Sequence, residues 1–86
     1  MGVFELLALK GTRTILKELK SNRKTRYSNL VKIVGFSTTT SRALKAMEQL
    51  QFVTKEVLNE PYRPVVYSLT KRGEHLANLS EAIDKI

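Results

Sequence analysis

A chain of 86 residues is sufficient for one domain and no more, and a domain of that size buries only about 60–65% of the surface its unfolded chain exposes. Its apolar content of 42% excludes a disordered segment, and the absence of cysteine excludes a disulfide framework, a thiolate nucleophile and a Cys-type zinc site. Fifteen Lys and Arg against eight Asp and Glu leave a formal charge of +7, which points to an anionic partner.

The first predicted element is a short apolar helix over residues 3–9, interrupted at Gly11. Thr12 is placed to cap a second helix with Ile15, Leu16 and Leu19 on one face. Ser21 to Thr25 reads as a polar loop. Ser28 then caps a third helix whose apolar face is Leu30, Val31 and Val34, and Gly35 stops it. After a few residues Ser37 caps a fourth helix running to about Leu50. Thr40, Ala43, Leu44, Met47 and Leu50 form its buried stripe, and Thr38, Ser41, Arg42, Lys45 and Gln49 its polar face.

Beyond Leu50 the period changes. Two stretches rich in β-branched and aromatic residues, "FVTKEVLNE" and "VVYSLT", are joined through "EPYR" and Pro64. They predict a hairpin with Tyr62 and Arg63 at its tip. Thr70 caps a final helix over residues 71–86. Helices joined by a tight turn and followed by a β-hairpin predict an α+β winged helix-turn-helix: mainly α, with a three-helix core, a wing and a closing helix.

Chemistry-bearing clusters are missing from this plan. His75 is the one histidine and the carboxylates are scattered beside lysines and arginines, so neither an enzyme, nor a cofactor, nor a metal site is expected. No apolar run reaches the ~18–20 residues of a membrane span, and "MGVFELLALKG" lacks a basic leader and a cleavage site. A soluble cytoplasmic protein, associated with the nucleoid, is the expectation.

Charge is unevenly spread. From Lys10 to Lys45 there are ten cations and one acid, Glu18; from Met47 onward there are five cations and six acids. That polarity favours nucleic acid over a solubilising surface. Arg42 and Lys45, one turn apart, are placed to reach a base edge or phosphate. Ser37, Thr38 and Thr39 stand at the positive end of the helix dipole, with Ser41 beside them. Arg26 and Ser28 open the third helix, where the DNA backbone is met in this architecture. Arg63 and Tyr62 at the wing tip are candidates for the minor groove and its sugar–phosphate edge.

The last helix carries Leu76, Leu79, Ile83 and Ile86 at spacings of three, four and three, an a/d stripe. With Phe4 of the first helix it is read as a homodimer seam, the alternative being that it packs against the first helices of its own domain. The predicted partner is double-stranded DNA, bound sequence-specifically by a homodimer. A winged-helix module docking on protein, and a chromatin-like protein coating DNA without specificity, are the alternatives.

The segments "ILKEL", "RYSNL", "STTTSRALKAMEQLQFV" and "RPVVYSLTKRGEHL" resemble the HxlR, PadR and MarR group of winged-helix transcription regulators over roughly residues 4–79. After the wing that group has a Y-x-L-T-x-x-G-x-x-L element, matched here by Tyr67, Leu69, Thr70, Gly73 and Leu76. The resemblance implies a DNA-binding homodimer acting at promoters as a transcriptional regulator, with a repressor expected ahead of an activator, and it implies that Tyr27 is buried. The group also has a glycine just before the first wing strand. Here Gln51 stands there, so a different helix end is expected. Lacking cysteine and clustered histidine, the chain is not expected to sense metals or oxidants.

Overall fold

The computed structural model describes residues 2–85. Five helices and three short strands follow one another as α1 (Val3–Ala8), α2 (Thr12–Ser21), β1 (Thr25–Arg26), α3 (Tyr27–Val34), α4 (Ser37–Gln49), β2 (Val53–Val57), β3 (Val65–Leu69) and α5 (Lys71–Asp84). The strands form one antiparallel sheet in the order β1-β3-β2. This is an α+β winged helix-turn-helix. No helix among the described residues is long and apolar enough to cross a membrane.

The helices are set by their apolar stripes, and glycine stands at two of their ends. Gly11 (φ 89°) stands at the N-terminus of α2 and Gly35 (φ 100°) at the C-terminus of α3, both left-handed, a conformation glycine adopts without a Cβ penalty. Space is also tight at Gly11, where a Cβ would crowd Val34 Cγ1 at 3.0 Å. Ile15, Leu16 and Leu19 of α2, Leu30 of α3, and Ala43, Leu44 and Met47 of α4 meet in one core with Leu6, Phe52, Val53, Tyr67, Leu76 and Ala77. Thr40 joins it by donating its hydroxyl to Phe36 O at 2.7 Å, so a buried polar atom is satisfied within its own turn.

Several local expectations differ from the structure. Thr12, Ser28 and Ser37 do not cap their helices: the N-cap positions are Gly11, Arg26 and Phe36, none with a side-chain cap bond. Each hydroxyl instead lies one or two residues inside the helix. That of Thr12 is fully buried without a hydrogen-bond partner. The predicted polar loop gives its last residue, Thr25, to a third strand: Thr25 pairs with Tyr67 and Arg26 with Val66. Gln51 does end α4 as the family's glycine would, at φ 64°. Thr70 caps α5 as expected, its Oγ1 accepting from Gly73 N at 3.0 Å.

The expected α5 stripe is divided. Leu76, read as part of a dimer seam, is 2% exposed and belongs to the core of its own chain. Burial of a leucine there is worth about 1.5–3 kcal/mol to the fold, and it leaves no surface for a partner. Leu79 (59% exposed) and Ile83 (46%) stay outside the core, as does Phe4 (86%) on α1. Ile86 lies outside the described residues.

Candidate nucleic-acid interface

The turn between α3 and α4 orients α4. Tyr27 opens α3, and its half-buried ring tilts against Tyr67 at a centroid separation of 6.5 Å. Its hydroxyl reaches α4, donating to Ser37 O at 3.3 Å and sharing a hydrogen bond with Ser41 Oγ. Tyr27 therefore spans from the sheet to the first turns of α4 and fixes the angle between the two helices. The resemblance implied a buried residue. The structure gives it a second, polar task that no local pattern signals, because the partners are 10 and 14 residues away. The Tyr67 phenol is held above its usual pKa, first by burial and then by Glu48 and Tyr27.

Ser37, Thr38, Ser41, Arg42 and Lys45 all lie on the exposed side of α4. Thr39 is half-buried and turned toward Gly11, where its Cγ2 would be 3.5 Å from an added Cβ. Of the group at the start of α4, Thr39 is thus the one drawn toward the fold. Ser28 is exposed in the first turn of α3. Arg26 is exposed too but has a partner, its Nη2 lying 3.6 Å from Glu60 Oε1.

At the wing tip Arg63 N donates to Glu60 O at 2.8 Å and closes a turn around Pro61 and Tyr62. Leu58 N donates to Pro64 O at 2.9 Å and closes the wider loop. Tyr62 is 95% exposed, and Arg63 takes φ 45°, a left-handed conformation that is rare for a side chain of this kind. The tip presents both side chains to solvent.

Folding redistributes the charge that chain order concentrates in residues 10–45. The acids of α5 fold onto the cations of α2: Asp84 pairs with Arg13 and Glu81 with Lys20. Arg13 also donates to Ser80 Oγ and O. The Lys20 ammonium holds the Glu81 carboxyl below its usual pKa through a hydrogen bond and its charge. These pairs line a cleft of about 410 Å³ between α2 and α5. Lys24 pairs with Glu56 at 3.1 Å. No Asp or Glu among the described residues pairs with Arg42, Lys45 or Arg63. The uncompensated positive charge of the predicted site thus sits on α4 and the wing tip. Among the described residues no group of three or more His, Cys, Asp or Glu converges as metal ligands do.

Three helices, a tight turn and a three-stranded wing define the winged-helix class. Residues 6–86 match the model of the HxlR-like helix-turn-helix family, and the chain belongs to that family. Among solved structures it is similar to the reduced form of the transcriptional regulator YodB from B. subtilis, with TM-score 0.80 and 24% identity over 95% of this chain and 81% of that one. The transcriptional regulator homologue from Pyrococcus horikoshii OT3 superposes with TM-score 0.82 at 17% identity, covering 94% of this chain and 82% of its own. The S. aureus MepR–DNA complex gives TM-score 0.80 at 16% identity, over 96% of this chain and 69% of that one. At these identities the likeness is one of fold. Several other matched regulators are longer, the chain spanning 49–59% of their length. No curated protein matches the chain.

Proposed function

We propose that this protein binds double-stranded DNA as a homodimer and regulates transcription without catalytic activity, as a repressor in the cytoplasm. The observation that carries the reading is the placement of free charge. The fold pairs Arg13 and Lys20 of α2 with α5 carboxylates, and leaves Arg42, Lys45 and Arg63 exposed with no acidic partner among the described residues. A winged-helix module docking on protein has no need of cations left open on both α4 and the wing tip.

In this reading α4 enters the major groove, its N-terminal turn toward the phosphates. Arg42 contacts a guanine edge and Lys45 a phosphate. Ser37 and Thr38 bring hydroxyls and backbone N–H groups to the backbone, with Ser41 held beside them by Tyr27. Arg26 and Ser28 meet the phosphates at the start of α3, and Arg63 takes the wing to the minor groove with Tyr62 on its edge. Two copies joined through Phe4, Leu79 and Ile83 would set their α4 helices about 34 Å apart, one DNA turn. The likeness in fold to MepR bound to DNA supports this arrangement.

Fluorescence anisotropy with random duplex DNA at two salt concentrations tests the class. Affinity should fall with salt at a log–log slope of about −0.9 for each phosphate contact. Selection of bound duplexes from a random pool then tests specificity. A two-fold-related consensus supports the dimeric regulator, and recovery without enrichment supports the non-specific alternative. Absence of binding at low salt would overturn the reading.

A further inference from the structure

We propose that Glu60 of the wing turn is an intramolecular stand-in for a DNA phosphate: it occupies Arg26 in the free protein and yields it on binding, so that a wing carboxylate sets DNA affinity. The inference rests on the DNA-binding reading above and adds a residue that opposes it.

Three observations carry it. The Glu60 carboxylate lies 3.6 Å from Arg26 Nη2, and both side chains are about half exposed, so the pair is open to exchange with an outside anion. The backbone of the same Glu60 accepts from Arg63 N at 2.8 Å. One residue thereby ties together the cation that opens α3 and the cation at the wing tip.

The third observation is the burial of Val66. Arg26, Val66 and Glu56 stand in one row across β1, β3 and β2, and residues in one row share a sheet face. Val66 is only 6% exposed, yet it lies outside the main core cluster. Arg26 and Glu56 flank it on that face. The pair Arg26–Glu60 links β1 to the wing turn, and Lys24, just before β1, pairs with Glu56 of β2 across the intervening β3. A phosphate offers Arg26 the same anionic oxygens as Glu60 and can hold both prongs of the guanidinium.

The test is a double-mutant cycle read by anisotropy near 0.15 M salt, where screening over about 8 Å suppresses general repulsion between Glu60 and DNA. Glu60→Gln should tighten binding by roughly two- to five-fold, the range for an exposed pair. In an Arg26→Gln background the same change should have no effect. An equal gain in both backgrounds would overturn the proposal while leaving DNA binding intact. Failure of the unsubstituted protein to bind would overturn both readings. A DNA-free arm separates the two further: in a ¹⁵N spectrum, Glu60→Gln should shift the Arg26 side-chain N–H signals and leave those of Arg42 in place. Unmoved Arg26 signals would show that the pair does not form and would sink the proposal without reference to DNA.

Discussion

A β-carbon placed on Gly73 would lie 1.9 Å from the carbonyl oxygen of Phe52. The closing helix thus docks its first turn directly on the backbone that begins the wing. The same carbonyl accepts from Thr70 N at 3.0 Å, and Thr70 Oγ1 donates to Gln51 O at 2.6 Å. The Y-x-L-T-x-x-G-x-x-L element therefore has a physical meaning at each position. Tyr67 and Leu76 fill the core, and Leu69 packs against it. Thr70 caps the helix and ties it to the end of α4, and Gly73 makes the approach possible.

Gly73→Ala should consequently cost more than the roughly 1–3 kcal/mol typical of overpacking, because the atom it would meet, Phe52 O, is backbone and cannot rotate away. Urea unfolding should show the loss. By comparison, Thr70→Ala removes one cap and should cost about 0.5–2 kcal/mol. An unchanged midpoint for Gly73→Ala would mean that α5 sits further from Phe52 than the structure has it.

Gln51 is a strained residue that the fold tolerates. Its φ of 64° carries a left-handed penalty of about 1–2 kcal/mol for an L-residue, partly offset by the greater chain entropy that glycine loses on folding. Gln51→Gly should raise stability by up to about 1 kcal/mol, read as a higher urea midpoint at unchanged slope. Its side chain is exposed, so DNA affinity should not move. A lower midpoint would assign the Gln51 side chain a contact that outweighs the strain.

Arg63 allows function to be separated from fold at the wing. Arg63→Gly suits the left-handed backbone and should leave stability intact or improved. It should still weaken DNA binding and reduce the salt slope by about 0.9. Arg42→Ala should cost about 1–3 kcal/mol on a selected site, and less on random DNA. Equal losses on both would make Arg42 a phosphate contact, and an unchanged slope for Arg63→Gly would turn the wing away from DNA.

What the residues disclose in advance depends on how local the cause is. The stripe from Thr40 to Met47, the stop at Gly35 and the cap at Thr70 are each decided within one or two turns, and each was legible. The caps at Ser28 and Ser37 were not. A hydroxyl near a helix start marks the neighbourhood but not the residue, and here the chain enters through Arg26 and Phe36. β1 is two residues long, too short to show a period. The exposed face of α4 could be read from spacing alone. The neutralisation of Arg13 and Lys20 could not, because their partners lie 71 and 61 residues along the chain.

The division of the α5 stripe makes the dimer seam testable without confusing assembly with folding. Leu76 is buried in its own chain, so Leu76→Asp would place a charge in the core and unfold the protein whatever its oligomeric state. Leu79 is more than half exposed in the isolated chain, on the same helix, and Phe4 is still more so. Leu79→Asp should therefore leave the thermal transition of a lone subunit nearly unchanged. If Leu79 meets its counterpart across a two-fold axis, two carboxylates would be forced together in an apolar interface at a cost of several kcal/mol. Light scattering at micromolar concentration should then report a monomer where the unsubstituted chain is a dimer. DNA affinity on a two-fold site should fall by roughly 10²-fold or more, since the second half-site contact is no longer tethered to the first. Binding to an isolated half-site should be unaffected. A Leu79→Asp protein that remains dimeric and binds the full site normally would place the seam elsewhere and remove α5 from it.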